Sequence, residues 1–226
     1  MTPFQLASDE VHTWCASLDV PSETLARLYA SLTPDERQRS ARFQFDRDRQ
    51  RFIVARGVLR ELLGRYLETD PGDVSFVYNA FGKPDLSPRF GRPLKFNLSH
   101  AAGLALIAIT TASSVGVDLE YIRLQSDYPE IARRFFSAAE VDALSGLQSD
   151  AYAAAFMNCW TKKEAYVKAR GEGLTMPLTE NDSATRWSLY TLQPAPDYAG
   201  ALAIEGTAWR LRHWQWTPLD SSCSTS

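Results

Sequence analysis

The sequence predicts an α+β protein made of two similar halves that meet near Ser113. Helical and strand patterns occur in two similar rounds along the 226 residues, and each round mixes both kinds of element. Apolar residues make up 45% of the chain and charged residues 23%, which is typical of a globular protein with a core. We expect an N-terminal half at residues 1–113, a C-terminal half at 114–216 and a mobile tail at 217–226.

The first round contains a short capped helix, a longer core helix and several strands. Residues 33–36 (TPDE) form a capping box with proline at the first helical position, so a helix begins there. From Phe52 to Tyr66 apolar residues recur at helical spacing, and residues 69–72 (TDPG) end that helix. Strands are predicted at 74–78, 95–98 and 104–110, with loops at 79–84 and 99–103.

The second round repeats this mixture of elements. A strand is predicted at 115–122, and residues 137–140 (SAAE) form a second capping box that opens a helix. A longer helix runs from about residue 150 to 170, where Gly171 ends it. The remaining strands are predicted at 187–192, 201–204 and 208–216.

Charge and cysteine content exclude several classes of protein. The formal net charge of −3 argues against nucleic acid or an anionic membrane as a partner. The three cysteines lack CxxC spacing, which argues against a disulfide framework or a zinc site. No secretory leader and no run of ~18 apolar residues is found. We therefore expect a cytoplasmic monomer that binds neither nucleic acid nor membrane.

Arginine is concentrated in one part of the chain. Nine of the 24 lysine and arginine residues are arginines between Arg37 and Arg65, where acidic residues are interspersed with them. An ion-paired, solvated helix face explains most of these charges. Binding of phosphate is the alternative for the remainder.

Residues 116–120 (GVDLE) place two carboxylates on one face of a strand. Because side chains alternate along a strand, Asp118 and Glu120 project to the same side. Adjacent like charges are costly unless a cation or solvent separates them, and Mg²⁺ prefers oxygen ligands. An exposed strand edge is the alternative explanation of this pair taken alone.

The long helix carries a second charged pair within residues 160–168 (WTKKEAYVK). Glu164 and Lys168 are four residues apart, so they lie on one helix face with the carboxylate toward the N-terminus. A surface ion pair is the commoner meaning of this spacing. The aromatic residues of the helix and the carboxylates upstream favour a functional role.

Two further segments contain candidate binding residues. Residues 96–100 (FNLSH) place Ser99 and His100 just past a strand, where a structural histidine is the commoner case and an anion contact the alternative. Residues 82–84 (GKP) form a loop whose lysine is usually solvated. The phosphate-loop and nucleophile-elbow patterns GxxxxGK[ST], GxGxxG and GxSxG are absent from the sequence.

Taken together and in order, these motifs resemble the 4′-phosphopantetheinyl transferase superfamily. The matching segments are 81–84 (FGKP), 96–100, 116–120, 134–140 (RFFSAAE) and 160–168, within a resemblance that spans roughly residues 33–178. More narrowly, the chain resembles the surfactin-synthetase-activating type. That type has two similar α+β halves related by a pseudo-two-fold in one chain, with the active site at their interface.

The resemblance implies a Mg²⁺-dependent enzyme, with Mn²⁺ as an alternative metal. Such an enzyme moves the 4′-phosphopantetheine group of its substrate coenzyme A onto a serine of an apo acyl or peptidyl carrier protein, and it releases adenosine 3′,5′-bisphosphate. The implied metal ligands are Asp118, Glu120 and Glu164, with Glu164 also the base and Lys168 on the pyrophosphate. The other implied coenzyme A contacts are Arg39, Arg51, Lys83, Pro84, Ser99, His100 and Lys163.

Within that set, the resemblance divides the nucleotide contacts. His100, Arg51 and Arg39 would neutralise the 3′-phosphate, and Lys83 and Pro84 would border the adenine. By ungapped alignment, a basic residue of the family falls on Glu36 and a small hydroxyl residue on Phe52. We assign a role to neither.

Two other function classes are consistent with the same residues. A non-catalytic module that binds coenzyme A or a nucleotide would keep the basic residues but would not need a base at Glu164. A metal-dependent phosphohydrolase would use water in place of a serine hydroxyl.

If the chain is a transferase, residues 133–136 (RRFF) are a candidate docking surface for an acidic carrier helix. Burial of a phenylalanine is the alternative explanation of this segment.

Overall fold

The computed structural model describes residues 4–91, 94–111, 114–171 and 186–218. In these parts of the chain, helices and strands form an α+β fold, as predicted, and the strands lie in three sheets. The strands are β1 Glu10–Ser17, β2 Phe76–Tyr78, β3 Pro84–Leu86, β4 Lys95–Ala101, β5 Leu104–Thr110, β6 Val115–Tyr121, β7 Trp187–Leu192, β8 Tyr198–Glu205 and β9 Arg210–Gln215. The α-helices are α1 Ser22–Ala30, α2 Pro34–Ser40, α3 Asp46–Leu67, α4 Tyr128–Phe135, α5 Ala138–Leu144 and α6 Ser149–Arg170.

The first sheet has the strand order β4-β5-β1-β9 and packs against α3. β5 pairs antiparallel with both β4 and β1, and its side chains are buried on both faces. Ile107 and Ile109 contact the α3 core that includes Leu59 and Leu62, while Leu106 points into a second core shared with β6 and β8. The apolar run at 104–110 is therefore a doubly buried strand, as its composition predicts.

The last strand of the chain returns to the first sheet. β9 pairs in parallel with β1, with Trp214 opposite Trp14 and their rings stacked at 5.6 Å between centroids. Residues 208–216 were assigned to the C-terminal half from the sequence, yet their strand completes the sheet of the N-terminal half. The boundaries at 113 and 216 stay predictions.

The second sheet, with the order β6-β8-β7, is covered by α6 at unusually close range. Ala165 and Ala169 pack on the sheet, and a β carbon added at Gly116 would lie 2.1 Å from the carbonyl oxygen of Ala165. Only glycine permits this contact, because a methyl group there would overlap the helix backbone. Small residues on both elements thus bring α6 down onto β6.

The ends of several elements follow the sequence signals. Both capping boxes form, with Thr33 bonded to Glu36 and Ser137 bonded to Glu140. α6 ends where Gly171 takes a left-handed conformation with φ 72°. Other boundaries are wrong. β4 continues to Ala101, because its pairing with β5 extends through the segment 99–101 that was predicted to be a loop. β2 begins at Phe76 instead of residue 74, and β3 begins at Pro84, inside the loop predicted at 79–84.

Within the described ranges, no helix is both long enough and apolar enough to cross a membrane. The expected mobile tail overlaps the described residues only at 217–218, so its state lies outside them.

Candidate active site

The first and second sheets meet along β4 and β6, and two polar residues of β4 join them. Asn97 Oδ1 accepts a hydrogen bond from the backbone amide of Val117 at 2.8 Å, and Ser99 Oγ donates to Asp118 Oδ1 at 3.1 Å. Asn97 and Ser99 lie on the same face of β4 because they are two residues apart. This alternation places Ser99 beside the predicted metal ligand Asp118.

Lys168 of α6, whose side chain is partly exposed, completes a three-residue cluster with the buried Ser99 and Asp118. Its ammonium donates to Asp118 Oδ1 at 2.5 Å and to Ser99 Oγ at 3.0 Å. Asp118 is only 2% exposed, so the interpretation of 116–120 as an exposed strand edge is wrong. The contact is possible because Gly116 lets α6 approach β6 closely.

The predicted carboxylates share one electrostatic environment. Burial raises the pKa of Glu164, and the negative charge of Asp118 raises it further, against the opposing charge of Lys168. Burial also raises the pKa of Glu120, and the charge of Asp118 adds to this effect. Two buried oxygens, Asp118 Oδ2 and Glu164 Oε1, have no hydrogen-bond partner in the structure.

These oxygens fit the chemistry of a hard divalent cation. In the described part of the chain, no group of three or more histidine, cysteine or acidic side chains is gathered closely enough to hold a metal ion by itself. Mg²⁺ is usually held by one or two carboxylates, with water and substrate phosphates as its other ligands. Asp118 and Glu164 supply such carboxylates, and Glu120 is electrostatically coupled to both.

A cavity of about 330 Å³ lies next to this cluster, between α2, α3, β4 and the loop at 79–84. The predicted residues Arg39, Pro84 and His100 line it. Its walls include the rings of Phe43 and Phe52, whose centroids are 5.3 Å apart. The cavity wall therefore combines guanidinium groups and aromatic rings, which suit a planar, negatively charged group, and it also contains the carboxylates of Asp35 and Glu36.

Arg56 also lines the cavity, and the sequence analysis did not identify it. Its Nε donates to Glu36 at 2.5 Å, its Nη2 donates to Tyr78 Oη at 2.8 Å, and Arg60 Nε donates to the other oxygen of Glu36 at 2.6 Å. Burial favours a higher pKa for Glu36, but the bonds from Arg60 and Arg56 hold this pKa below its usual value. Glu36 is thus neutralised beside the cavity, and the trio carries one net positive charge.

A sequence signal for Arg56 did exist. Arg56 and Arg60 are four residues apart inside the buried stretch of α3, where charged residues are rarely found without a partner. Their shared partner Glu36 lies on another helix, so its identity was not visible in the local pattern.

Three of the predicted coenzyme A contacts have protein partners instead of facing the cavity. Arg51 makes a two-pronged ion pair with Asp19, both bonds at 2.9 Å. Lys163 forms an ion pair with Glu140 at 2.8 Å. Lys83 donates to two backbone carbonyl oxygens, as described below. The roles predicted for these residues stay predictions.

The fold and this site together define a class of protein. It has α+β halves joined at a partly buried carboxylate and lysine cluster, beside a cavity with arginine and aromatic side chains in its wall. Two family models match the chain, one described as the N-terminal part of 4′-phosphopantetheinyl transferase over residues 18–112 and one as the 4′-phosphopantetheinyl transferase superfamily over residues 114–217. The chain belongs to the 4′-phosphopantetheinyl transferase superfamily and is an enzyme of that kind.

Curated relatives agree with this assignment. The 4′-phosphopantetheinyl transferase HetI of Nostoc sp. is 41% identical over 93% of this chain and 94% of its own length. A putative 4′-phosphopantetheinyl transferase of Synechocystis sp. is 35% identical over 74% of this chain and 67% of its own. The transferase Sfp of Bacillus subtilis is 30% identical over 67% of this chain and 66% of its own.

Proposed function

We propose that this enzyme transfers the 4′-phosphopantetheine group of coenzyme A to a serine hydroxyl of an apo acyl or peptidyl carrier protein. The reaction is Mg²⁺-dependent and releases adenosine 3′,5′-bisphosphate. The observation that carries the proposal is the cluster of Ser99, Asp118 and Lys168 with the unpartnered oxygen of Glu164, set beside a cavity with arginine and aromatic side chains in its wall. A module that only binds coenzyme A has no use for the buried carboxylates.

The cavity is suited to the nucleotide end of coenzyme A. Arg39, Arg56 and His100 offer donors to the 3′-phosphate, while Phe52 and Pro84 offer apolar surface to the adenine. Arg39 already lies over the ring of Phe52, 5.4 Å from its centroid. The planar adenine base would stack in the same way against these groups.

Burial lowers the pKa of His100 on the cavity wall, and the nearby charge of Lys168 lowers it further, so the cavity lies close to the carboxylate cluster. A nucleotide bound in the cavity through His100 would have its pyrophosphate close to Lys168. The ammonium of Lys168 would then donate to pyrophosphate oxygens and stabilise the charge that grows on the leaving group.

Asp118, Glu164 and Glu120 would hold the metal ion. The ion, once bound, supplies charge neutralisation to the pyrophosphate oxygens. Glu164 is the candidate general base: its raised pKa makes the ionised carboxylate a stronger proton acceptor.

In the chemical step, the carrier serine oxygen forms a bond to the β-phosphorus of coenzyme A while its proton passes to Glu164. The bond from that phosphorus to the bridging oxygen breaks, and adenosine 3′,5′-bisphosphate leaves. No protein nucleophile is required, because positioning and charge neutralisation supply most of the catalysis in phosphoryl transfer.

The proposal is tested by incubating the enzyme with coenzyme A, Mg²⁺ and a panel of apo carrier proteins, followed by intact mass measurement. We expect one carrier class to gain a single phosphopantetheine group, and the Asp118→Asn variant to give no gain. Consumption of coenzyme A without any carrier would instead indicate a phosphohydrolase, and binding without turnover a non-catalytic module. We keep the expectation of a cytoplasmic monomer without nucleic-acid or membrane partners.

A further inference from the structure

The loop at residues 79–84 touches both the nucleotide cavity and the end of α6. Gly82 and Pro84 line the cavity. Between them, Lys83 turns its side chain away and donates to the carbonyl oxygens of Val115 at 3.1 Å and Ala169 at 3.0 Å. Asn79 Nδ2 donates to the carbonyl oxygen of Gly171 at 2.9 Å, so two side chains of this loop are bonded to the end of the helix.

These two carbonyl groups belong to the elements that carry the catalytic residues. Val115 opens β6, three residues before Asp118, and Ala169 directly follows Lys168 on α6. The last carbonyl groups of a helix have no partner within the helix, and a cation there also complements the helix dipole. The ammonium group of Lys83 thus links the C-terminal end of α6 to the first residue of β6.

The loop itself is held in one conformation. Asn79 Oδ1 accepts from the backbone amides of Phe81 and Lys83 at 3.0 and 2.9 Å, and Gly82 takes a left-handed conformation with φ 80°. Lys83 is half-buried, and burial lowers its pKa to about 8. It therefore differs from a solvated surface lysine such as its neighbour Lys95, which is 44% exposed.

We propose that Lys83 is a positioning residue for the transfer reaction, which holds Glu164 and Lys168 of α6 in register with Asp118 of β6. The inference rests on the proposed function. In this proposal the side chain of Lys83 positions α6, and the backbone of its loop borders the nucleotide. The loop at 79–84 thus contacts both the cavity and α6.

The test compares Lys83→Met, which keeps the length of the side chain and removes its donors, with the matched control Lys95→Met. We expect Lys83→Met to lower kcat about tenfold, because small misplacements of catalytic groups cost rate, while the KM for coenzyme A stays within about twofold. Lys83→Arg keeps a charged donor and should recover part of the loss. Rates are measured well below the melting temperature of each variant, and Lys95→Met should match the wild type.

Hydrogen exchange in the peptide that covers residues 160–171 gives a second readout, independent of turnover. It should be faster in Lys83→Met and unchanged in Lys95→Met. A wild-type kcat in folded Lys83→Met would overturn the proposal, whether the variant showed only a lower melting temperature or a raised KM for coenzyme A. If the wild type modified no carrier, the proposed function would fail, and unchanged exchange in Lys83→Met would still reject the positioning role.

Discussion

Asp118 and Glu164 each keep a buried carboxylate oxygen without a hydrogen-bond partner. Leaving a buried acceptor unsatisfied costs about 1–3 kcal/mol, and more for a charged group. The proposed function accounts for this cost, because a bound cation would satisfy both atoms. Asp118 is additionally bonded to Lys168 and Ser99, which makes it structural as well as functional.

Glu164→Gln separates the role of base from the role of ligand. The amide keeps the shape of the side chain and removes its basicity, so kcat should fall at least about 100-fold. Binding of coenzyme A, measured by calorimetry, should change little. The exposed Glu130 on α4 provides the control, since Glu130→Gln should leave both quantities unchanged. An equal loss of binding and of kcat would make Glu164 chiefly a ligand.

His100→Ala tests the nucleotide cavity at the same scale. The ring lies on the cavity wall beside Leu98, and its proposed partner is the 3′-phosphate. We expect the variant to weaken coenzyme A binding by about tenfold and 3′-dephospho-coenzyme A binding by much less, because only the former offers the lost contact. The measurement is the dissociation constant of the variant for coenzyme A, compared with that for 3′-dephospho-coenzyme A. Equal penalties would show that His100 is structural.

At the scale of elements, the closeness of α6 to β6 depends on one glycine. A β carbon at Gly116 would lie 2.1 Å from Ala165 O and 2.3 Å from the amide nitrogen of Ala169. Gly116→Ala should therefore push the helix outward, lower the free energy of unfolding by about 1–3 kcal/mol and reduce kcat. Denaturant unfolding and transfer assays measure both effects. The control is Gly72→Ala, which, like Gly116→Ala, involves no positive φ and whose added β carbon would meet only the side-chain oxygen of Asp70, at 3.1 Å.

Elements with strong local signals could be predicted from the sequence, and elements without them could not. Capping boxes marked α2 and α5, and continuous apolar patterns marked α3 and β5. β1 gave no alternating pattern because nearly all of its residues are buried, including polar ones such as His12, which bonds to Tyr66 Oη at 2.6 Å. α1 and α4 begin without a side-chain cap and are only 9 and 8 residues long, so each is too short for a helical apolar pattern to stand out.

In the candidate site, too, some residues could be predicted from local patterns and others could not. Asp118, Glu164 and Lys168 follow from strand and helix periodicity, since each pattern fixes which residues share a face. Their meeting with Ser99 depends on the approach of two sheets, and the role of Arg56 depends on a partner from another helix. Such long-range pairings leave no local pattern, so the sequence alone could not predict them.

At the scale of the whole molecule, the active cluster lies where the halves meet. β4, an edge strand of the first sheet, borders β6, an edge strand of the second, and the side chains of the proposed site come from both strands and from α6. β9 lies at the opposite edge of the first sheet, where it ties the end of the chain to β1. In the proposed reaction, a carrier serine would therefore reach the cluster at the edges formed by β4 and β6, away from β9.

The carrier should be held there partly by the exposed arginines at the end of α4. Phe136 is buried and Phe135 packs on Trp160 at 5.9 Å between ring centroids, so the apolar part of the predicted docking segment belongs mainly to the core. Arg133 and Arg134 stay exposed and are available to an acidic carrier helix.

Arg133→Glu should raise the KM for the carrier about tenfold and leave the affinity for coenzyme A unchanged, because only the protein partner meets this charge. The wild-type carrier KM should also rise with salt, since exposed charges are screened. Arg210→Glu on β9 is the control: Arg210 is 56% exposed at the far edge of the first sheet, and the same charge reversal there should not affect the carrier KM. A carrier KM insensitive both to Arg133→Glu and to ionic strength would place the docking surface elsewhere on the second half, with the loop that follows Gly146 as the next segment to test.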